Sequence, residues 1–191
     1  SIDWLRKSDR NFPVTLDPVT SYYPANLAMT TGNITSPTAL KVSGIVRQAA
    51  SGAIAWAQFD LSSLSPFAVI SSINYWGYHY NGAGTTDKIS TIVGLQTVNP
   101  VTAINTSVYN QVNTSGPVYN SNYVFGGATL NTWHSAAISS GGVTDINAQI
   151  TQGWTGLGFR FQSGSTSTMF QYGYNAASSA NRPYLEITYT T

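Results

Sequence analysis

Short apolar runs recur along the chain, and clusters of Gly, Asn, Ser and Pro separate them. Apolar and polar residues often alternate within the runs, which gives an extended strand one apolar and one polar side. The pattern predicts strands at Phe12–Asp17, Leu40–Arg47, Ile54–Asp60, Val69–Tyr80, Ile89–Val98, Val118–Phe125, Gly156–Gln162, Thr168–Tyr174 and Tyr184–Thr190. At most one short helix is predicted, at Val143–Gln152, with Thr144 as its cap. Many short strands separated by turns are typical of an all-β protein with two antiparallel sheets packed as a β-sandwich.

The first ten residues, SIDWLRKSDR, carry a large share of the charge and differ from the rest of the chain. We interpret residues 1–20 as a lead-in or linker that includes the first strand, and residues 21–191 as a single β-sandwich domain. A length of 191 residues suits one large domain, and no internal repeat or second linker interrupts it.

Charged residues make up only 8% of the chain, against roughly 25% in an average soluble domain. The net charge of +1 provides no field that would attract nucleic acid or anionic lipid. No apolar run is long enough to span a bilayer, so membrane insertion is not expected. A surface rich in neutral hydroxyl and amide groups is typical of an extracellular β-rich protein, and the absence of cysteine favours a bacterial exported protein or a cytosolic one. We predict a secreted or cell-surface protein.

The most distinctive predicted strand, Val69–Tyr80, ends in a row of aromatic residues. Side chains two residues apart share a face of a strand. Ile73 ends the run Val69–Ile73, which is expected to pack in the core. Ile73 and Tyr75 are therefore predicted to point inward. The opposite face, directed outward, then carries Trp76, Tyr78 and Tyr80.

Three outward rings in a row predict a flat strip on which sugars stack through their apolar C–H faces. The sugar hydroxyls need polar groups beside the strip, and the candidates are Asn74, Asn81, Asp87 and Lys88. These residues and the three rings are the predicted ligand-binding set. The alternative is that the same rings lie beneath a loop or the second sheet as part of the core, because aromatic residues favour strands whatever their function. A register slip of one residue would exchange the two faces.

The remaining aromatic residues are interpreted mainly as core. Phe170, Tyr172 and Tyr174 form a second alternating row, for which packing within the sandwich is the favoured role. Trp154 either caps the core or forms the wall of a cleft, and the same holds for Trp133 beside His134.

The residues that could support catalysis are few: seven acidic side chains and two histidines. No two acids form an evident glycosidase pair, and no Gly-x-Ser-x-Gly turn accompanies His79 or His134. We therefore predict no catalytic residue, no enzyme activity and no cofactor. Metal-binding motifs are absent from the sequence, and only Asp60 and Asp87 are weak candidates for a structural calcium ion. Asp60 is better explained as a turn residue that bonds to its own backbone.

Two segments together carry a resemblance to a known family. Phe59–Leu64 (FDLSSL), followed by Val69–Ile73 (VISSI), resembles the "FDLSSIP…ATITSATL" core of the DNRLRE family, and Arg182–Tyr189 (RPYLEITY) resembles its closing RPYLEVTY strand. Gly158–Phe161 (GFRF) and the lead-in WL…FPVTLDP are also similar. The resemblance implies a jelly-roll-like β-sandwich on a bacterial or archaeal cell surface, and some members of that family are classed as carbohydrate-binding modules.

This chain departs from the family pattern at two strands. The family's "LRLYV" strand is replaced by Tyr75–His79 (YWGYH), and the acidic residue usual near the penultimate strand has no counterpart in Phe170–Tyr174 (FQYGY). Any ligand of characterised members is therefore not carried over to this chain.

The predicted function is a non-catalytic extracellular carbohydrate-binding module. Its expected partners are a polysaccharide or cell-surface glycan and other domains of a parent protein. The alternative is a stalk or spacer domain of a large bacterial surface adhesin, with no ligand of its own. Such stalks sometimes carry an internal Lys–Asn amide crosslink, for which Lys41 or Lys88 would be the lysine.

Overall fold

The structure is a computed structural model that describes residues 18–49, 52–82, 88–125, 130–161, 168–176 and 178–191. The predicted strand Phe12–Asp17 lies outside these ranges. The described strands are β1 (Val19–Tyr22), β2 (Thr31–Ile34), β3 (Val42–Ser43), β4 (Val46–Ala49), β5 (Ile54–Asp60), β6 (Val69–Gly82), β7 (Lys88–Gly94), β8 (Val118–Phe125), β9 (Thr132–Ala137), β10 (Trp154–Phe161), β11 (Thr168–Gln171) and β12 (Tyr184–Thr190). Two short α-helices accompany them, α1 (Asn105–Asn110) and α2 (Ser140–Gln149).

The strands form two antiparallel sheets of six strands each. Sheet I has the order β1-β12-β6-β11-β4, with β9 also paired to β6, and sheet II has the order β3-β2-β5-β10-β7-β8. The arrangement confirms the predicted all-β, two-sheet sandwich. It contains two α-helices where one was expected, and α1 continues into a π-helical turn over Gln111–Ser115.

The long strand β6 organises sheet I. β12 pairs with its first half, from Val69 to Trp76, and β11 pairs with its last residues, from His79 to Gly82. β9 takes the opposite edge, between Asn74 and His79. The aromatic half of β6 therefore has a neighbouring strand on both sides.

The main core lies between the two sheets and is rich in aromatic rings. The ring of Tyr75 lies near its centre, 4.9 Å from Phe159 and 5.5 Å from Tyr123, measured between centroids. Phe59 makes an edge-to-face contact with Tyr75 at 6.2 Å. These rings are 0% exposed, so one face each of β5, β6 and β10 lies against this core.

A second, smaller core lies on the far side of sheet II, beneath residues 95–117, which we name the covering segment. Glycines in β10 allow this close approach: a Cβ atom at Gly156 would lie 2.8 Å from Leu95, and one at Gly158 would lie 2.4 Å from Val112. Leu95 N donates to Gly156 O at 2.9 Å, which continues the pairing of β7 with β10 into the first residue of the covering segment.

Several strands have the bounds that the sequence predicts, namely β5, β8 and β12. The predicted strand Leu40–Arg47 is divided into β3 and β4 by Gly44, whose φ of 108° lies in the left-handed region. β7 ends at Gly94 instead of Val98. β10 begins two residues early, at Trp154, and β11 ends at Gln171.

The predicted helix begins earlier than expected. Ser139, not Thr144, is its N-cap, and the Ser139 hydroxyl accepts a hydrogen bond from Gly142 N at 3.3 Å. The strands β1, β2 and β9 and the helix α1 were not predicted. The predicted boundary after residue 20 falls inside β1, which pairs with β12 and so belongs to sheet I.

Candidate functional site

The two faces of β6 differ in burial as the alternation predicts. Ile73, Tyr75 and His79 are buried between the sheets, whereas Trp76, Tyr78 and Tyr80 are half-buried on the opposite side. Because the first set contributes to the core between the sheets, the second set lies on the outer surface of sheet I.

Neighbouring strands bring further rings to this surface. Tyr184 of β12 lies directly opposite Trp76, and Trp133 of β9 lies directly opposite Tyr78. Tyr172, just beyond β11, donates its backbone N–H to Tyr78 O at 3.1 Å. We name as the aromatic face the rings of Tyr23, Trp76, Tyr78, Tyr80, Trp133, Phe170, Tyr172 and Tyr184, which form one chain of ring contacts.

Rings of the aromatic face are tilted against one another, and the flat strip of Trp76, Tyr78 and Tyr80 stays a prediction. Tyr80 and Tyr172 stack at 4.3 Å with 25° between their planes, and Trp76 and Tyr184 are nearly parallel at 6.0 Å. Trp133, in contrast, lies at 82° to Tyr78. Rings packed side by side favour tilted and edge-to-face geometries, because the edge of one ring is attracted to the face of the next. The surface therefore has ridges and grooves.

Polar groups adjoin one end of the aromatic face. Glu186 Oε2 accepts hydrogen bonds from Asn74 Nδ2 at 3.2 Å and from Trp76 Nε1 at 3.4 Å. Glu186 lies two residues after Tyr184 in β12, so the alternation places both side chains on the same side. Arg182 Nε is buried and has no hydrogen-bond partner among the residues that the structure describes.

The hydroxyls of Tyr80 and Tyr184 are neutral donors at physiological pH. Burial, reinforced by the neighbouring Tyr172, raises the pKa of Tyr80. Burial also raises the pKa of Tyr184, with smaller contributions from Glu186 and Tyr23. Both hydroxyls therefore keep their protons well above neutral pH. The hydroxyl of Tyr78 donates to Asn131 O at 2.9 Å.

The structure brings Asn74, Trp76, Tyr78 and Tyr80 together, but it does not describe every predicted site residue. Asp87 and the side chains of Asn81 and Lys88 lie outside what it describes. Asp60 lies in sheet II, away from the aromatic face, and accepts from Ser62 N at 2.9 Å, as expected of a turn residue.

Of the residues predicted for metal binding or crosslinking, the structure describes the side chains of Asp60 and Lys41. Within the described ranges, no group of three His, Cys, Asp or Glu side chains is placed to hold a metal ion. Lys41 Nζ donates to Pro100 O at 2.7 Å and to Ala103 O at 2.6 Å, and burial lowers the pKa of this lysine.

The sequence analysis did not assign Trp133, Tyr172 and Tyr184 to the site. Tyr184 had a usable signal, because it alternates with Leu185 and Ile187, which are buried. Trp133 had a weaker one, because its strand β9 was not recognised. The pairing of β9, β11 and β12 with β6 brings rings that are distant in the sequence side by side. This pairing cannot be predicted from the local sequence.

The two histidines are close in space, inside the sandwich. Their ring centroids are 4.4 Å apart, and His79 Nε2 forms a hydrogen bond of 2.8 Å with the Tyr123 hydroxyl. Burial, together with the proximity of His134, lowers the pKa of His79 to about 3. His79 is thus a neutral core residue, 2% exposed, and not part of the outer surface.

The chain matches no model of a known protein family and no curated protein. The resemblance to the DNRLRE pattern therefore stays a prediction from short motifs. Within the described ranges, no helix combines the length and the apolar character needed to span a bilayer.

Proposed function

We propose that this protein is a non-catalytic carbohydrate-binding module that holds a glycan on the aromatic face. The observation that carries the proposal is the set of rings on the outer side of sheet I, gathered from β6 and its neighbouring strands. A contiguous aromatic surface that remains partly exposed is a common mark of a binding site.

The dimensions of the aromatic face suit a short stretch of polysaccharide. Trp76 and Tyr80 are four residues apart, which corresponds to roughly 13 Å along a strand. The rings on β9 and β12 flank β6 and widen the surface by about 5 Å on each side. Strand pairing and ring contacts hold the side chains in place, so little side-chain freedom is lost on binding.

The chemistry of the face matches the two sides of a sugar. Apolar C–H faces stack on the rings, and the sugar hydroxyls find acceptors and donors in Glu186 and in the tyrosine hydroxyls. Rings that are tilted against one another make the surface uneven. An uneven surface fits a single twisted glycan chain better than the flat surface of a crystalline polysaccharide. The affinity should be modest, because an open surface leaves its ligand partly hydrated.

We propose that the protein acts outside the cell or on its surface. A neutral surface with few charges, no cysteine, and short motifs similar to a cell-surface family support a secreted or cell-surface module. Its partners would be a polysaccharide or cell-surface glycan and other domains of a parent protein.

The double substitution Trp76→Ala/Tyr78→Ala tests the proposal. Both side chains are half-buried, so each change should cost roughly half of the about 3–5 kcal/mol seen for a fully buried aromatic residue, and the fold should survive. Glycan-array signal and retention in polysaccharide affinity gels should fall to background. Circular dichroism and urea unfolding report whether the variant is folded.

Phe67→Ala is the matched control, because Phe67 is 85% exposed in the turn before β6 and makes no part of the aromatic face. It should bind as the unchanged protein does. A folded double variant with undiminished binding would remove the aromatic face as the site. Failure of the unchanged protein to bind any glycan would favour the stalk or spacer domain.

A further inference from the structure

A cavity of about 270 Å³ lies on the side of the sandwich opposite the aromatic face. It opens on the outer surface of sheet II, where the covering segment ends. Its walls include Gln58 and Asp60 of β5, Trp154 of β10, Thr30 before β2, and Asn99 of the covering segment. We name it the Gln58 cavity. Its volume corresponds to roughly nine water molecules at about 30 Å³ each, so one ring-sized ligand would fill it.

Strand geometry directs the key side chains into this cavity. Trp154 is opposite Asp60 in the pairing of β10 with β5, and Gly156 is opposite Gln58. The alternate residues Ala57 and Phe59 face the core between the sheets, so Gln58 and Asp60 face the other way, into the cavity. Gly156 has no side chain, and Leu95 packs over it beside Gln58.

Gln58 provides an independent sign of a ligand. Its side chain is 8% exposed, and its Oε1 atom is buried without a hydrogen-bond partner among the residues that the structure describes. Burying an acceptor without a partner is unfavourable, and nearly all buried polar groups in proteins are paired. Gln58 lines the cavity, so a donor on a ligand bound there would satisfy this acceptor once the side-chain amide turns towards it.

The other walls define the chemistry of that ligand. The Asp60 carboxylate accepts one bond from Ser62 N, and it has capacity for further donors. Asn99 Oδ1 accepts from Val101 N at 2.9 Å, which leaves the amide nitrogen of Asn99 available to donate. The indole of Trp154 adds an apolar wall. The cavity therefore offers acceptors, one amide donor and an aromatic surface.

We propose that the Gln58 cavity is a second binding site, which takes a single sugar ring. Hydroxyl groups of the ring donate to Gln58 Oε1 and Asp60, and the C–H face of the ring packs on Trp154. The proposal extends the glycan-binding function proposed above, and its test separates the two sites. A metal ion is a poorer occupant, because calcium takes 6–8 oxygen ligands and Asp60 is the one acidic residue among the described walls.

Ligand-observed NMR with methyl glycosides of glucose, galactose, mannose and N-acetylglucosamine tests the site. At least one glycoside should show saturation transfer from the protein. Gln58→Met should weaken its binding at least tenfold while the protein stays as stable or becomes more so, since an unpaired buried acceptor is replaced by an apolar chain of similar length. Asp60→Asn, which keeps an oxygen for the bond from Ser62 N, should weaken binding several-fold.

Trp76→Ala/Tyr78→Ala is the control that distinguishes the sites, because it should leave glycoside binding in the cavity unchanged. Loss of glycoside binding in that variant alone would assign the signal to the aromatic face and overturn the proposal. Undiminished glycoside binding by Gln58→Met would also overturn the proposal. If Gln58→Met fails to fold, undiminished binding by Asp60→Asn would overturn it instead. The proposal is likewise overturned if none of the four glycosides binds. Binding of tetramethylammonium in place of the glycosides would identify a cation site and would also overturn it.

Discussion

At the scale of single residues, polar side chains buried between the sheets near β6 form hydrogen bonds with neighbouring side chains. The hydroxyl of Tyr75 donates to Gln171 Oε1, and His79 and Tyr123 share a hydrogen bond. His134 lies beside His79, so a proton on either ring would repel one on the other. The network is built for neutral side chains, and its stability therefore depends on pH.

The His79 network predicts a loss of stability on mild acidification. The pKa of His79 is about 3 in the folded protein, against an ordinary value of 6.5, so the unfolded chain binds the proton first. The contribution of His79 is full above pH 6.5 and is lost as the pH falls towards 3. Between pH 7 and pH 5 the free energy of unfolding should fall by about 2 kcal/mol from this residue.

Urea unfolding at both pH values measures this loss, and His79→Gln is its control. The glutamine can still bond to the Tyr123 hydroxyl but does not titrate, so most of the difference between the two pH values should disappear. An unchanged difference in the variant would show that His79 is not the group responsible.

At the scale of elements, local alternation predicts well where a strand has one apolar and one polar side. β12 has the predicted bounds because its buried residues alternate, whereas β5 is buried continuously from Ile54 to Phe59 and ends at the turn that follows Asp60. The covering segment was missed because its helical part, Asn105–Asn110 (NTSVYN), is rich in residues that disfavour helices. Its position is set by contact with the glycines of β10, which local sequence does not reveal.

The same reasoning explains which part of the site was predictable. Trp76, Tyr78 and Tyr80 follow from alternation within β6, without any knowledge of the fold. Trp133 and Tyr184 join them only through strand pairing across more than 50 and 100 residues of chain, respectively. The Gln58 cavity depends on packing between layers, so the sequence carries no local sign of it.

The contact between β10 and the covering segment predicts that Gly158→Ala is destabilising. A Cβ atom at Gly158 would lie 2.4 Å from Val112 and 3.0 Å from Val93, so the covering segment must shift. Overpacking of this kind costs about 1–3 kcal/mol in free energy of unfolding, which urea titration measures. Gly141→Ala is the control, because its nearest neighbour is at 4.0 Å and the residue lies exposed in α2. It should stabilise the protein by about 0.5–1 kcal/mol. Equal effects at the two positions would contradict the close packing.

At the scale of the whole molecule, the sandwich presents two different outer surfaces. Sheet I carries the open aromatic face, and sheet II is partly covered by the covering segment and carries the Gln58 cavity. Charge is sparse throughout, with 8 basic and 7 acidic residues in the chain. Stacking and neutral hydrogen bonds, and not long-range attraction, are therefore the forces available to hold a ligand.

This charge distribution predicts that glycan binding is insensitive to salt. Interactions between exposed charges are strongly screened when ionic strength rises from about 0.05 M to about 0.5 M, whereas stacking is not. The Kd for a neutral glycan, measured by calorimetry or affinity gels, should change less than about twofold over this range. A large loss of affinity would indicate a charged ligand held through Arg182 or Glu186.

The pairing of β1 with β12 has a mechanical consequence. Val19 is paired with Thr188 and Tyr22 with Leu185, so the start of β1 and the end of β12 lie at the same edge of the molecule. Tension applied through the chain before Val19 and after Thr190 would peel these strands apart from that edge. The hydrogen bonds would then break one after another instead of sharing the load. Strands that separate in this way unfold at low force. This property is better suited to a ligand-binding module than to a stalk domain that carries mechanical load.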